Sequence, residues 1–317
     1  MTIRPWRIVF FGTPSFAVPT LKGLLGGPDE VVAVVTQPDR KKGRGQKVGL
    51  SAVKEELLQH GTSGILLFQP ERVKDEAFQR SVNDLSPDLF AVAAYGQLLP
   101  KSLLEIPRHG AVNVHASLLP KYRGAAPVAW AILKGESVTG VTIMNMDEGM
   151  DTGDVLSQRE TPIGAGETAE TLHDSLASTG ALLLLETVSK MKSGGVTPVR
   201  QDPSQATYAP LLKKEDGRIN WKKEAKEIDR QVRAFDPWPG AFTQLHGQLL
   251  KIYRGRVREG NAGTGKGTVL WVGTDFIEVG TGQGSFLIGE VQLEGKKRMD
   301  VREFLTGHPI PVGTAFE

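Results

Sequence analysis

The chain is 317 residues long, enough for two domains, and its 39% hydrophobic and 23% charged residues match an ordinary globular protein. A formal net charge of +2 excludes both a chain-wide basic coat and an acidic solvating tail, so any nucleic-acid contact is local. The absence of cysteine excludes disulfides, thiolate metal sites and a cysteine nucleophile, and fits a reducing compartment.

In chain order, Arg7 to Phe11 is the first predicted strand. It is broken at once by Gly12 and Pro14, and is too short for a signal-peptide core or a membrane span, so a cytoplasmic protein without a membrane partner is expected. Short apolar runs follow at Val31 to Val35, Leu66 to Phe68, Asp88 to Ala93, Ala111 to Val114 and Gly140 to Met144. Helical patterns between them, at Leu21 to Leu25, Ala52 to Gln59 and Glu76 to Leu85, make the alternation βαβα. That predicts an α/β fold with a Rossmann-like, mostly parallel sheet and helices on both faces. A longer helix is expected over Ala169 to Met191, capped by Thr168 and ended by Gly194 and Gly195. Residues 194–210 show neither period and read as a linker.

Beyond the linker, Glu224 to Phe235 reads as helical. Short strands then follow at Gly240 to Leu245, Gln248 to Tyr253, Gly267 to Val272, Phe276 to Gly280 and Ser285 to Gln292, which indicates a small all-β domain. The expected division is therefore 1–193, a linker at 194–210, and 211–317. Trp130 and Trp238 read as packing anchors.

The segment Gly110-Ala-Val-Asn-Val-His-Ala-Ser-Leu-Leu-Pro120 carries the clearest chemistry. In a strand of period two, Asn113 and His115 share one face while Val112 and Val114 take the other. Ser117 and Pro120 end the strand, which leaves the polar pair at the carboxyl edge of the sheet, where open α/β sheets bind ligands. An imidazole exchanges a proton near neutrality, and an Asn amide donates to an oxyanion, so the pair suits attack of an amine on an acyl carbon. Asp151, in the turn Asp147-Glu-Gly-Met-Asp-Thr-Gly-Asp154, supplies a carboxylate to orient the imidazole. The acids of that turn miss calcium-loop spacing, and no two of the six histidines stand four apart, so no metal is expected. Phe11-Gly-Thr-Pro-Ser-Phe-Ala17 lacks the dinucleotide fingerprint and reads as structural, with Gly12 permitting a turn and Thr13 or Ser15 capping the next helix.

Asn113-Val-His115, Ser117-Leu-Leu-Pro120 and Asp151-Thr-Gly153 resemble the signature of the folate-dependent formyltransferases. The similarity runs on through Gln37-Pro-Asp39, Ala94-Tyr-Gly96, Tyr122-Arg-Gly-Ala-Ala-Pro127 and Pro237-Trp-Pro-Gly240. The resemblance implies 10-formyltetrahydrofolate as formyl donor, held by Ser117, Leu118, Leu119 and Pro120 with Tyr95 and Gly96 as a second wall. It implies Asn113, His115 and Asp151 as catalytic residues, an oligonucleotide-binding-like open barrel at the carboxyl terminus, and a monomer.

The densest basic run is Arg40-Lys-Lys-Gly-Arg-Gly-Gln-Lys47. A solvated loop is its plain reading. In the family this loop reaches the acceptor end of tRNA, and its charges suit phosphates while Gly43 and Gly45 let it adapt. Arg40, Lys41, Lys42, Arg44 and Lys47 are the RNA candidates, joined by Lys251 and Arg254 in the carboxyl-terminal domain. The implied acceptor is initiator methionyl-tRNA, with no DNA partner. A formyltransferase acting on a small amine such as a sugar nucleotide or glycinamide ribonucleotide, a formyl-folate hydrolase, and a binding module without chemistry are the alternatives.

Overall fold

The computed structural model describes residues 4–42, 47–61, 64–260 and 265–317. They fall into two compact units: Met1–Pro127, Val138–Pro162 and His173–Ala209 form the first, and Val128–Ser137, Ile163–Leu172 and Pro210–Glu317 the second.

The first unit opens with β1 (Arg7–Gly12), helix α1 (Val18–Leu25) and β2 (Glu30–Val35). The hairpin strands β3 (Arg40–Lys42) and β4 (Lys47–Gly49) lead to α2 (Ala52–His60) and β5 (Leu66–Phe68). Then come α3 (Glu76–Asp84), β6 (Leu89–Ala93), the single turn α4 (Lys101–Leu104), β7 (Ala111–His115) and the two-residue β8 (Arg123–Gly124). The chain then makes α5 (Pro127–Lys134), all but its first residue in the second unit, and returns with β9 (Val138–Asn145), β10 (Val155–Pro162), α6 (Ala169–Lys192), whose first turn is also in the second unit, and β11 (Tyr208–Ala209).

Seven strands make one sheet in the order β10-β9-β7-β6-β1-β2-β5. The five from β7 to β5 are parallel, while β9 and β10 run antiparallel to their neighbours. The expected Rossmann-like sheet is present. β10 was not predicted, because its residues alternate between half-buried and exposed and contain no apolar run.

Strands β1, β2 and β6 are apolar along almost their whole length because both faces are covered. On one face Val9, Phe11, Phe90, Val92 and Ala111 cluster with Phe78 and Val82 of α3. On the other face α6 crosses β7 and β9 at Gly180, where an added Cβ would lie 2.6 Å from Val114 and 3.3 Å from Val141. Only glycine admits so close an approach. Val114 is therefore turned toward α6, and Asn113 and His115 share the parity of Ala111 on the α3 side.

Thr168 does cap α6, its hydroxyl accepting from the Thr171 amide at 3.3 Å. The expected cap at α1 is a correction. No side chain caps that helix; Thr13 Oγ1 instead donates to the Tyr95 carbonyl at 2.8 Å. Residues 194–210 cluster with the first unit up to Ala209: Val199 bridges Val155, a 3-10 turn spans Pro203–Gln205, and β11 pairs in parallel with β8.

The second unit holds α7 (Ala225–Ala234) and a sheet of β12 (Ala241–Leu245), β13 (Gln248–Arg258), β14 (Val269–Val272), β15 (Ile277–Gly280) and β16 (Ser285–Leu293). A short β17 (Met299–Asp300) pairs with β16 and runs into α8 (Val301–Gly307). The order β12-β13-β16-β15-β14 is wholly antiparallel and its path is open. Ile228, Val232, Leu250, Phe286, Ile288, Val291 and Phe304 form its core. β13 continues past its expected end at Tyr253, bending at register shifts on both sides of Arg254. Gly255 is required there, since a Cβ would meet the Phe286 ring at 2.2 Å.

Candidate active site

β7 ends at His115, and the chain turns through Ser117 to Pro120 over the neighbouring strands. Thr142 of β9 fastens that turn: its hydroxyl donates to the Ser117 carbonyl at 2.7 Å and accepts from the Leu119 amide at 3.0 Å. Gln158 of β10 adds bonds to the Leu119 carbonyl at 2.8 Å and to the Thr142 hydroxyl at 2.9 Å. Leu118 lies over Gly140, where a Cβ would come within 2.6 Å of it. The leucine-proline turn is thus a rigid shelf, with Ser117 and Leu119 buried and Leu118 and Pro120 partly open.

Asn113 is half-buried, and among the described residues its side-chain amide has no hydrogen-bond partner, which leaves it free to donate to a ligand. His115 is 6% exposed, and its Nε2 donates to the Tyr122 carbonyl at 3.0 Å, the only sense a carbonyl acceptor allows. Its Nδ1 faces Asp151 Oδ2 across 3.7 Å. The fold thus sets His115 against Asp151, with Asn113 two residues earlier on the same face of β7.

Asp151 sits in the turn joining β9 to β10 with φ at 55°, in the left-handed region. Its Oδ2 accepts from the Gly124 amide at 2.8 Å. Gly153 lets the turn close, since a Cβ there would lie 1.9 Å from the Asn145 carbonyl oxygen. Asp147 serves the turn rather than the imidazole, accepting from the Gly149 amide at 3.0 Å and the Thr152 hydroxyl at 2.7 Å.

Two groups that the sequence reading passed over complete the arrangement. Gln201 Nε2 donates to the carbonyls of Asp151 and Gly153 at 2.9 and 2.7 Å, and its Oε1 accepts from Arg123 Nε and Nη2 at 3.0 and 2.7 Å. Only the polarity of Gln201 in an otherwise aperiodic stretch hinted at a role.

The expected second wall is only partly as foreseen. The ring of Tyr95 is 2% exposed, lies edge-on to Phe11 at 5.4 Å, and its hydroxyl is buried without a hydrogen bond. Burial pushes that phenol far above the usual tyrosine range. Any ligand contact at Tyr95 and Gly96 is thus made by the backbone, which Gly96 bends with φ at 92°.

At the two ends of the basic run β3 and β4 are antiparallel, Arg40 pairing with Gly49, Lys41 with Val48 and Lys42 with Lys47, while residues 43–46 between them, Gly43, Arg44 and Gly45 included, lie outside the described residues. At the root of the hairpin Lys54 of α2 donates to Asp39 Oδ2 at 2.5 Å and to Gln69 Oε1 at 2.8 Å, and Gln69 reaches Asp39 Oδ1 at 2.8 Å.

In the second unit, Lys251 Nζ donates to the Pro239 carbonyl at 3.2 Å and Arg254 pairs with Asp300 at 2.5 Å. Both therefore have internal partners. Arg254, Arg256 and Arg302 line a cleft of about 680 Å³. Trp130 anchors through its indole N–H to the Pro210 carbonyl at 2.9 Å, whereas Trp238 is 54% exposed and does not pack as expected.

Residues 6–188 match the formyl transferase family and residues 211–309 the formyl transferase C-terminal domain. A methionyl-tRNA formyltransferase of Trichlorobacter lovleyi is 52% identical over 98% of this chain and 96% of its own length. One from Caldanaerobacter subterraneus is 48% identical, covering 97% of this chain and 99% of its own. Among solved structures, the sugar 3N-formyl transferase WlaRD with 5-N-formyl-THF superposes with a TM-score of 0.66 at 20% identity, covering 92% of this chain and 99% of that one. HypX from Aquifex aeolicus with tetrahydrofolic acid gives 0.64 at 20% identity, over 95% of this chain and 47% of that one. The chain belongs to the formyl transferase family.

Proposed function

We propose that this protein transfers the formyl group of 10-formyltetrahydrofolate to the free amino group of methionyl initiator tRNA, giving N-formylmethionyl-tRNA for translation initiation. The observation that carries this reading is the approach of Asp151 to His115 at the end of β7, with Asn113 on the same strand face, in a chain that matches methionyl-tRNA formyltransferases over nearly its whole length.

The acceptor's ammonium must lose a proton before its nitrogen attacks the formyl carbon. A C–N bond then forms and the carbonyl oxygen becomes an oxyanion; the attacking nitrogen gives up a proton, folate N10 takes one, and the oxyanion re-forms the carbonyl as the bond from the formyl carbon to N10 breaks. Asn113 donates its unpaired amide to the oxyanion. Because Nε2 of His115 is committed to the Tyr122 carbonyl, Nδ1 is the ring position that gains and loses a proton, and it does so facing Asp151. The carboxylate stabilises the imidazolium, and the 3.7 Å gap leaves proton exchange to a bridging water or to closure on the substrates.

The shelf from Ser117 to Pro120, with the backbone at Tyr95 and Gly96, holds the flat pteridine. Arg40, Lys41, Lys42, Arg44 and Lys47 contact the tRNA backbone, Arg254 exchanges its exposed Asp300 partner for phosphate, and Lys251 is a weaker contributor because it is tied to Pro239. Residues 1–193 serve as the catalytic domain, 194–210 as a connection and 211–317 as the tRNA-binding domain. The protein acts as a cytoplasmic monomer with no DNA or membrane partner. Among the described residues no helix is long and apolar enough to cross a membrane.

The test is formylation of methionylated initiator and elongator tRNA with 10-formyltetrahydrofolate as donor. Product on the initiator tRNA is expected. No product on either, with turnover of an amino sugar nucleotide or release of formate instead, overturns the reading.

A further inference from the structure

Asp151 carries the carboxylate facing His115 on a left-handed backbone, φ 55°, which Asp tolerates better than most side chains but glycine adopts more readily. A non-glycine residue in the left-handed region costs about 1–3 kcal/mol and persists only where its surroundings hold it. What holds this one comes from 50 residues further along the chain: the Gln201 amide, bonded to the carbonyl of Asp151 itself and to that of Gly153 two residues on.

Gln201 is itself held. Arg123 places both prongs of its guanidinium on the Gln201 oxygen, and the two side chains are 6% and 5% exposed. Among the described residues Arg123 forms no ion pair, so a permanent buried charge is spent on one neutral acceptor. Such an arrangement is costly unless its hydrogen bonds are well made. It also orients the amide: with Oε1 fixed on Arg123, Nε2 can only point at the turn.

The neighbours of Arg123 hold the other two groups of the site. The Tyr122 carbonyl receives His115 Nε2, and the Gly124 amide meets Asp151 Oδ2. Three consecutive residues thus grip the imidazole, the Gln201 clamp and the carboxylate. Any slip of the turn relative to this segment changes the His115 to Asp151 distance directly.

We propose that Gln201, oriented by Arg123, is a positioning residue that sets the Asp151 carboxylate against His115 for formyl transfer. This rests on the reading of His115 and Asp151 as the acid-base pair. Gln201 touches no reacting atom; its effect is on turnover, since misplacing a catalytic group by about 1 Å costs on the order of 10²-fold in rate.

The decisive variant is Gln201→Glu. It keeps the volume and an acceptor for Arg123, and strengthens that bond to an ion pair, but it cannot donate to the two carbonyls. Gln201→Ala removes both halves. Full-length variants are assayed for kcat and KM with both substrates, and their folded fraction at the assay temperature is read by circular dichroism. The expected result is a fall in kcat of about 10- to 100-fold in Gln201→Glu with KM for each substrate within about threefold. A wild-type kcat in folded Gln201→Glu overturns the proposal, as does a loss in both variants that merely follows the folded fraction. Asp151→Asn, run alongside, separates the two claims. If it retains wild-type turnover, the reading of the pair fails; if it is crippled while Gln201→Glu is not, only the positioning role fails.

Discussion

Nδ1 of His115 faces the Asp151 carboxylate across 3.7 Å while the opposite ring nitrogen is bonded to the Tyr122 carbonyl. One ring nitrogen is therefore committed to the backbone and the other is left to the carboxylate. The geometry makes the turn that carries Asp151 as important as the strand that carries His115.

Gly153→Ala tests that turn. Its Cβ would stand 1.9 Å from the Asn145 carbonyl, so the backbone between β9 and β10 must shift. The variant is expected to lose about 1–3 kcal/mol in urea unfolding and to lose transfer activity disproportionately, because the shift moves Asp151. Wild-type turnover in a destabilised Gly153→Ala would show that the carboxylate's position is not critical.

Tyr95 tests the pteridine shelf from the other side. Its hydroxyl is buried and makes no hydrogen bond, so Tyr95→Phe removes an unsatisfied group. Stability equal to wild type or higher by about 1 kcal/mol is expected, with unchanged KM for the formyl donor. A several-fold rise in that KM would assign the phenol itself to the ligand.

Asp88 sets a pH-dependent part of the stability. Burial alone would raise its carboxyl, but the two-pronged bond from Arg4 at 2.5 and 2.9 Å and the Arg7 amide at 2.9 Å outweigh this and hold it below the usual range. A depressed folded value means that the stabilisation is complete above the unfolded-chain value of about 3.9 and disappears as pH falls through the folded one. Asp88→Asn should thus cost about 1–3 kcal/mol at neutral pH, with the difference shrinking below about pH 4 in thermal or urea unfolding. A difference that persists undiminished at lower pH would assign the effect to packing.

For the hairpin, changing Arg40, Lys41, Lys42 and Lys47 to glutamine is expected to weaken tRNA binding and flatten its salt dependence. Removing one cation from a phosphate lowers the slope of log K against log salt by about 0.7–0.9. An unchanged slope would place the RNA interface elsewhere. Lys54→Met, which removes the brace on Asp39 at the hairpin's root, is expected to weaken binding while leaving that slope nearly intact.

Much of this was legible before the fold was seen. The apolar runs of β1, β2 and β6 announced a parallel sheet because burial on two faces demands continuous hydrophobicity. Asn113 and His115 were paired by the period of a strand, and Asp151 by its glycine-flanked turn. β10 and α8 were missed: the first has no apolar run and the second is a 7-residue helix. Arg123 stood only inside the Tyr122 to Pro127 motif and Gln201 only as a polar residue of an aperiodic stretch, because a clamp across 78 residues leaves no local pattern; it exists only once the chain has folded back. Thr142 and Gln158, which fasten the Ser117 to Pro120 turn, were hidden for the same reason.

The central claim is tested most directly by single-turnover formyl transfer to methionylated initiator tRNA, at saturating 10-formyltetrahydrofolate, in the wild type and in Asn113→Ala, His115→Ala and Asp151→Asn. The wild type is expected to form N-formylmethionyl-tRNA, and each variant to fall by about 10²- to 10³-fold while keeping its fold. A near wild-type rate in any variant removes that residue from the chemistry, and no transfer by the wild-type protein contradicts the account as a whole.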